Sequence, residues 1–231
     1  MIISHRNIFL TVFFPFLMNG SAFSQNDPDF GTWFTFGIEK SFNKKYILGV
    51  NQEMRLRENA SRLNLFYTNP YFSYKIKKRF KVSLGYRFIN KYMYQDKSFS
   101  LRHRLMFDAS YKQKFGDFSI SYRSRIQGEV RDYNCSPMGH FPEYFWRNKF
   151  DLSYDIGNFS PYIGTELRYQ IHDPKNPESD YGFRRARTYF GTDYELTKKQ
   201  TLGIFFLYQQ EFDIDDPNLG YIFGLEYEIS L

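Results

Sequence analysis

The last thirteen residues of the chain alternate without interruption. Leu219, Tyr221, Phe223, Leu225, Tyr227, Ile229 and Leu231 share one face, and Gly220, Ile222, Gly224, Glu226, Glu228 and Ser230 share the other. Side chains along a strand repeat every two residues, so this segment has one wholly apolar face and one mostly polar face. Strands in soluble sheets usually run about 5–6 residues, whereas a strand tilted across a bilayer needs about 9–11. The segment must lay its apolar face on either a protein core or lipid.

Ten earlier segments follow the same rule after Asn26-Asp27-Pro28, and no amphipathic helix separates them. Phe34, Phe36 and Ile38 oppose Trp33, Thr35, Gly37 and Glu39. Leu48, Val50, Met54 and Leu56 oppose Asn51, Glu53, Arg55 and Arg57. The third segment, Arg62 to Ile76, changes phase: Leu63, Leu65 and Tyr67 hold one parity, then Phe72, Tyr74 and Ile76 the other. Pro70 sits at the switch, where the pattern predicts a bulge. The remaining segments oppose rows of Val, Leu, Ile, Phe and Tyr to rows that carry arginine. On the tenth, the second face is mixed: Gly203, Phe205, Leu207, Gln209 and Glu211. Connections are short near residues 42–44, 77–79, 114–117, 155–158 and 197–200, and long near 130–142 and 173–182.

This pattern predicts an all-β fold, a transmembrane antiparallel up-and-down β-barrel of about 10–12 strands, with the C-terminus on the short-turn side. Bacterial single-chain barrels have even strand counts. Eleven segments therefore imply that the first stands outside the wall or that a twelfth strand exists.

Residues 1–24 have the form of a secretory signal peptide. His5 and Arg6 precede the apolar stretch from Ile8 to Met18, and Ser21-Ala22-Phe23-Ser24 supplies small residues before Gln25. Cleavage there leaves 207 of 231 residues, 25–231, as the barrel, with a formal charge of +5. Cys135 is the only cysteine, so stability must come from the sheet and not from internal disulfides. Aromatic residues reach 21% of the chain, including 27 Phe and 20 Tyr, yet mean hydropathy is negative. A barrel that is apolar outside, polar inside and aromatic at both interfaces reconciles the two.

A soluble sandwich also alternates, but its polar faces would be solvated, and Lys and Glu should dominate them. Here Lys gathers in turns while Arg lies mid-strand among carboxylates. Enclosed charges favour the planar, bidentate guanidinium over the ammonium. An enclosed polar lumen explains that division.

The strand Trp33-Phe34-Thr35-Phe36, the following Gln52-Glu53-Met54-Arg55 and the later Gly85-Tyr86-Arg87-Phe88 carry a family resemblance. On these motifs the chain resembles an uncharacterised family of bacterial outer-membrane β-barrels, DUF2490, across nearly all of residues 25–231. The resemblance implies a location in the outer membrane of a Gram-negative cell and a barrel fold, and it implies no activity. The last strand is similar to the signal read by the outer-membrane assembly machinery, although Leu231 stands where that signal usually has an aromatic residue.

The candidate site is the inward polar set. Its cations are Arg55, Arg57, Arg87, Arg102, Arg104, Arg123, Arg125, Arg147, Arg168, Arg185 and Arg187. Its anions are Glu53, Asp108, Asp151, Glu166, Asp193, Glu226 and Glu228. Arginine rings in a pore favour anions, so one reading is a small channel or binding barrel for anionic solutes such as acidic oligosaccharides. The other is a structural barrel plugged by its own salt bridges, as small barrels fill their interiors with side chains. Glu226 and Glu228 are expected to face arginines across the lumen. A lipid-modifying enzyme is a third class, but His103, His140 and His172 are the only histidines beyond the leader and no H-x-S arrangement accompanies them. His103 is expected at the membrane interface, and His140 shares a loop with Cys135 without an orienting motif. Asp213, Asp215 and Asp216, and Asp173, Glu178 and Asp180, lack the glycine and terminal Glu of a calcium loop and read as solvated turns. No cofactor, metal or nucleic-acid motif is present. The partners expected are outer-membrane lipid, the assembly machinery and anionic solutes.

Overall fold

The computed structural model describes residues 28–94, 96–131, 142–173, 181–213 and 219–231. The expected leader peptide, Cys135, His140, Glu178, Asp180, Asp215 and Asp216 lie outside the described residues. Eleven strands run through them: β1 (Asp29–Phe42), β2 (Tyr46–Arg57), β3 (Arg62–Lys77), β4 (Phe80–Met93), β5 (Ser98–Phe115), β6 (Phe118–Arg131), β7 (Glu143–Tyr154), β8 (Phe159–His172), β9 (Gly182–Thr197), β10 (Gln200–Glu211) and β11 (Leu219–Ser230).

Each strand pairs antiparallel with its sequence neighbours, and β1 closes against β11 to complete a barrel. That last seam is parallel, running from Asp29↔Gly220 to Glu39↔Ser230. The parity expectation is thereby corrected. The first segment is a wall strand, no twelfth strand occurs among the described residues, and the odd count is accommodated at the seam. In an up-and-down chain of odd count the first and last strands necessarily point the same way, so only a parallel pairing can close the ring. Barrels of odd count are known outside bacteria.

The seam gives the barrel two unlike ends. One end holds residues 43–45, 78–79, 116–117, 155–158 and 198–199, together with Leu231. The other holds the start of β1, residues 58–61, 94 and 96–97, and the ends of β6, β8 and β10. Gly116 and Gly157 take positive φ, +61° and +60°, where the tight turns need the left-handed region. At the seam's C-terminal edge, the Leu231 amide donates to the Glu39 carbonyl at 2.8 Å.

The expected bulge at Pro70 is absent. The β2–β3 register runs unbroken through Val50↔Pro70 and shifts instead between Arg55 and Leu56. Pro70 is exposed on the outer face, while Tyr67 and Asn69 are buried. Leu65 and Tyr67 are thus inward apolar positions on a continuous strand.

Across the outer face the apolar parity stays uncovered: Leu105 is 57% exposed, Ile126 54% and Phe150 53%. Aromatic pairs gather toward both ends of this belt. Tyr46–Tyr74 (5.2 Å between ring centroids), Phe118–Tyr154 (4.6 Å) and Phe159–Tyr194 (4.6 Å) lie at the short-turn end. Phe66–Phe99 (5.6 Å), Tyr169–Phe183 (5.2 Å) and Tyr208–Tyr221 (5.6 Å) lie toward the long-loop end.

Inside, Trp33, Tyr189, Phe205, Leu207 and Ile222 form a small apolar cluster on the wall made by β1 and β9–β11. Leu207 is fully buried. The Phe205 ring occupies the space that a Cβ at Gly224 would need, and the Tyr162 ring does the same at Gly191. Glycine on one strand thus receives an aromatic ring from its neighbour, which lets large side chains lie flat against a curved wall.

Candidate functional site

Strand alternation turns every arginine of the sequence-derived set inward, because each shares its parity with buried residues and opposes the exposed apolar row. The acids of that set lie on the same inner face. Their grouping is uneven, and it divides the lumen into three zones.

The middle zone is a waist built on two buried carboxylates. Glu166 on β8 is 2% exposed and binds three guanidiniums: Arg147 at 2.5 Å, Arg123 at 3.0 Å and Arg187 at 3.4 Å. Glu53 on β2 pairs with Arg55 and accepts hydrogen bonds from the Tyr67 hydroxyl (2.6 Å) and the Thr35 hydroxyl (3.1 Å). Trp33 ties the two clusters together, with the Arg55 guanidinium 3.6 Å from its ring and that of Arg187 at 5.2 Å. Arg87 has no ion pair among the described residues and lies 3.8 Å over the Tyr67 ring. Burying a charge is costly unless it is paired and hydrogen-bonded. A carboxylate shared by three arginines, with aromatic faces beneath the cations, meets that cost.

A cavity of about 570 Å³ lies at the short-turn end of the waist. One of about 630 Å³ lies at the long-loop end. They share no lining residue, and Glu166, Arg147, Glu53 and Tyr67 line neither. In the short-turn cavity Asp108 takes both nitrogens of Arg125, at 2.6 and 2.7 Å, and Lys149 pairs with Asp151 at 3.0 Å. Of the rest of its positive lining, Lys75, Lys77, Lys78, Arg79 and Lys112 are exposed near the rim, while Lys81 and Arg123 are partly buried. Beside that rim, Lys114 and the Ser160 hydroxyl hold the Asp155 carboxyl below its usual range. The long-loop cavity contains Glu129, which binds Arg102 at 3.2 Å and the Arg104 Nε at 2.8 Å. Arg185 pairs there with Glu211, and Arg131 with Glu143 at 2.9 Å.

Three carboxylates depart from the expected pairing. Asp193, Glu226 and Glu228 stand together on β9 and β11, on the wall away from most of the arginines, and none makes an ion pair among the described residues. A Cβ at Gly203 would touch both Asp193 and Glu226, at 3.0 and 3.4 Å. The expectation that Glu226 and Glu228 face arginines is corrected. The nearby arginines are held instead by Glu166, Asp108 and Glu53 on other strands.

Glu129, Glu143 and Glu211 were not among the sequence-derived lumen acids, and Lys91 and Arg131 were not among its cations. Glu129, Glu143, Lys91 and Arg131 share the parity of arginines on their own strands, and Glu211 shares that of buried Phe205 and Leu207, so extending the same alternation to the strand ends would have found them. Trp33, Tyr67, Phe145 and Tyr189 are harder to read, because an aromatic residue on a polar face looks like a break in the pattern and is here a stacking partner for a cation.

On the outer face His103 Nδ1 lies 2.5 Å from the Tyr86 hydroxyl, with the Phe88 ring 5.4 Å from the imidazole. The residues paired with His103 across the two neighbouring strands are Phe88 and Val130. Among the described residues no group of three or more His, Cys, Asp or Glu is arranged to hold a metal ion. The Asp213 carbonyl accepts a hydrogen bond from Arg184.

Comparison with known proteins agrees with this architecture. The family model described as "Protein of unknown function (DUF2490)" matches residues 30–219, and the chain belongs to that family. No curated protein matches the chain. Among solved structures, the chain is similar to one described as "Bacterial polysaccharide outer membrane secretin", with 12% identity and a TM-score of 0.52. The match covers 78% of this chain and 63% of that one, a similarity of fold.

Proposed function

We propose that the protein is an integral outer-membrane β-barrel that binds small anionic solutes in its lumen, with a waist that is closed at rest. The division of the lumen into two cation-rich cavities by the Glu166 and Glu53 clusters is the observation that carries this reading. An open pore would need a continuous path, and passage of an anion requires the waist to part. Lipid is the natural partner of the outer face. Tyr144 and Tyr154 bracket β7, and ten residue steps at about 3.3 Å span about 33 Å along the strand. At a barrel tilt of about 40° this projects to about 25 Å, the height of the apolar band in outer-membrane barrels. The fold shared with an outer-membrane secretin supports the same location, and β11 is suited to handling by the assembly machinery.

His103 bonds Tyr86 on the outer face, apart from the lumen to which the binding role is assigned. Two measurements test the reading. Cell fractionation with heat-modifiable gel mobility should place a folded barrel in the outer membrane, and a soluble periplasmic protein would overturn the location. Planar bilayers containing the protein should carry no steady chloride current, and an ohmic current would overturn the closed waist.

A further inference from the structure

The two cavities differ in how their positive charge is held. At the short-turn end the cations without carboxylate partners are mostly rim side chains exposed to water. At the long-loop end nine Lys and Arg side chains line the cavity against five Asp and Glu. An excess of one remains even when Glu53, Glu166 and Glu58, which hold Arg55, Arg187 and Arg57 from outside the lining, are counted with the acids. Two cations in this lining make no ion pair among the described residues. Arg168 on β8 lies over the Phe145 ring at 4.7 Å, and its Nε is buried without an acceptor. Lys91 on β4 is partly buried and makes no hydrogen bond or ion pair among the described residues. The Nε atoms of Arg102 and Arg185, on the same lining, are also buried without acceptors.

A buried donor without a partner costs about 1–3 kcal/mol, and an unpaired buried charge costs more. Nothing else in the lumen leaves that many donors aimed at one volume. β4 and β8 stand four strands apart in a ring of eleven, so Lys91 and Arg168 address the cavity from well-separated walls. A single carboxylate cannot satisfy both. A solute with two or more anionic groups can, and about 630 Å³ is ample for one of that kind. Gln127, Gln170, Gln209 and Asn64 add neutral amides to the lining, suited to hydroxyls between the charged ends.

Resting on the anion-binding reading above, we propose that the long-loop cavity is a binding site for a compact polyanion, with carboxylate or phosphate groups, anchored at opposite ends by Lys91 and Arg168. Trp33 lines the cavity and reports on it. Trp146, the other tryptophan of the chain, faces outward and donates to the Ser124 hydroxyl at 2.8 Å, so a W146F background isolates the Trp33 signal.

The test is titration of the detergent-folded W146F protein with citrate, pyrophosphate, acetate and neutral sorbitol, followed by Trp33 fluorescence for the long-loop cavity and by titration calorimetry for binding anywhere in the lumen. Citrate or pyrophosphate should bind at least tenfold more tightly than acetate, sorbitol should not bind, and the stronger of the two probes assigns carboxylate or phosphate. K91Q and R168Q should each weaken binding about tenfold. K91R and R168K, which keep the charge, should retain it and serve if a Gln variant fails to fold, and R62Q, at an exposed pair with Glu58, should change nothing. Unaltered binding in K91Q and R168Q, with loss in K81Q or K112Q, would move the ligand to the short-turn cavity: this site would be wrong and the anion reading would stand. No binding of any anion at millimolar concentration would overturn both.

Discussion

Replacing Glu166 with Gln tests whether the waist is a stabilising charge cluster or an incidental one. Glu166 is 2% exposed and is the shared acceptor of Arg147, Arg123 and Arg187, at 2.5, 3.0 and 3.4 Å. The substitution preserves shape and leaves one amide oxygen as an acceptor, but it removes the charge that three guanidiniums share. Removing one partner of a buried pair typically costs about 3–5 kcal/mol. Two features bracket the value here. Three arginines lose their partner together and then repel one another, which pushes the cost up. Arg123 is 31% exposed, so water screens that contact and pushes it down. The expected loss is about 4 kcal/mol, close to a thousandfold in the folding equilibrium. Urea unfolding of the detergent-folded barrel, followed by tryptophan fluorescence, should show a lower midpoint with an unchanged slope. The double variant E166Q/R187Q removes one of the stranded cations and should recover part of the loss, a coupling that independent sites would not show. An E166Q protein within about 1 kcal/mol of the parent would refute the assignment of the waist as the barrel's electrostatic centre.

Three further outcomes follow from the geometry. G224A puts a Cβ inside the volume of the Phe205 ring, and overpacking of this kind costs about 1–3 kcal/mol. F205A empties the same site, so G224A/F205A should cost less than the sum of the two in urea unfolding. At the parallel seam, Thr32 pairs with Phe223. With Cys135 replaced by Ser, T32C/F223C should form an intramolecular disulfide on oxidation, visible as a gel shift, and a first segment lying outside the wall would leave it unlinked. The Asp155 carboxyl is held low by Lys114 and Ser160. A depressed folded pKa contributes stability that is present above the unfolded value, about 3.9, and is lost as pH falls through the folded one. The unfolding midpoint of D155N should therefore match the parent more closely in strong acid than at neutral pH.

Alternation was legible almost everywhere, because burial of one face fixes strand register to within a residue. The three places where reading by residue type failed have separate physical causes. At Pro70 the apolar residues Leu65 and Tyr67 suggested a phase change, but Tyr67 faces the lumen to donate to Glu53, so the strand does not bulge at Pro70, and the β2–β3 register shifts instead beside Asn64. At the seam the even-count rule pointed to a missing or surplus strand, whereas parallel hydrogen bonds from Asp29 to Glu39 close the ring at eleven. For Glu226 and Glu228 the sequence showed charges of both signs on inner faces but not which walls face each other. That depends on strand order around the ring and on axial height, neither of which a one-dimensional pattern carries.

The strand number and the charge network are linked. Eight strands leave an interior that side chains just fill; eleven leave more, and aromatic rings laid over glycines on the β8–β11 wall occupy only part of it. Filling the remainder with apolar side chains would make a solid barrel without a site. Filling it with unpaired charge would be prohibitive. The chain does neither. It concentrates three arginines on Glu166 and fixes Arg55 between Glu53 and Trp33 at mid-height, and it leaves the volumes on either side open. A purely structural plug would balance its cations throughout. Here the balance fails at the long-loop end, where Lys91 and Arg168 make no ion pair among the described residues, while Asp193, Glu226 and Glu228 stand without one nearer the other end of the lumen. Separation of surplus cations from surplus anions along one lumen costs stability, and a ligand that supplies the missing negative charge at the cationic end offsets that cost on binding.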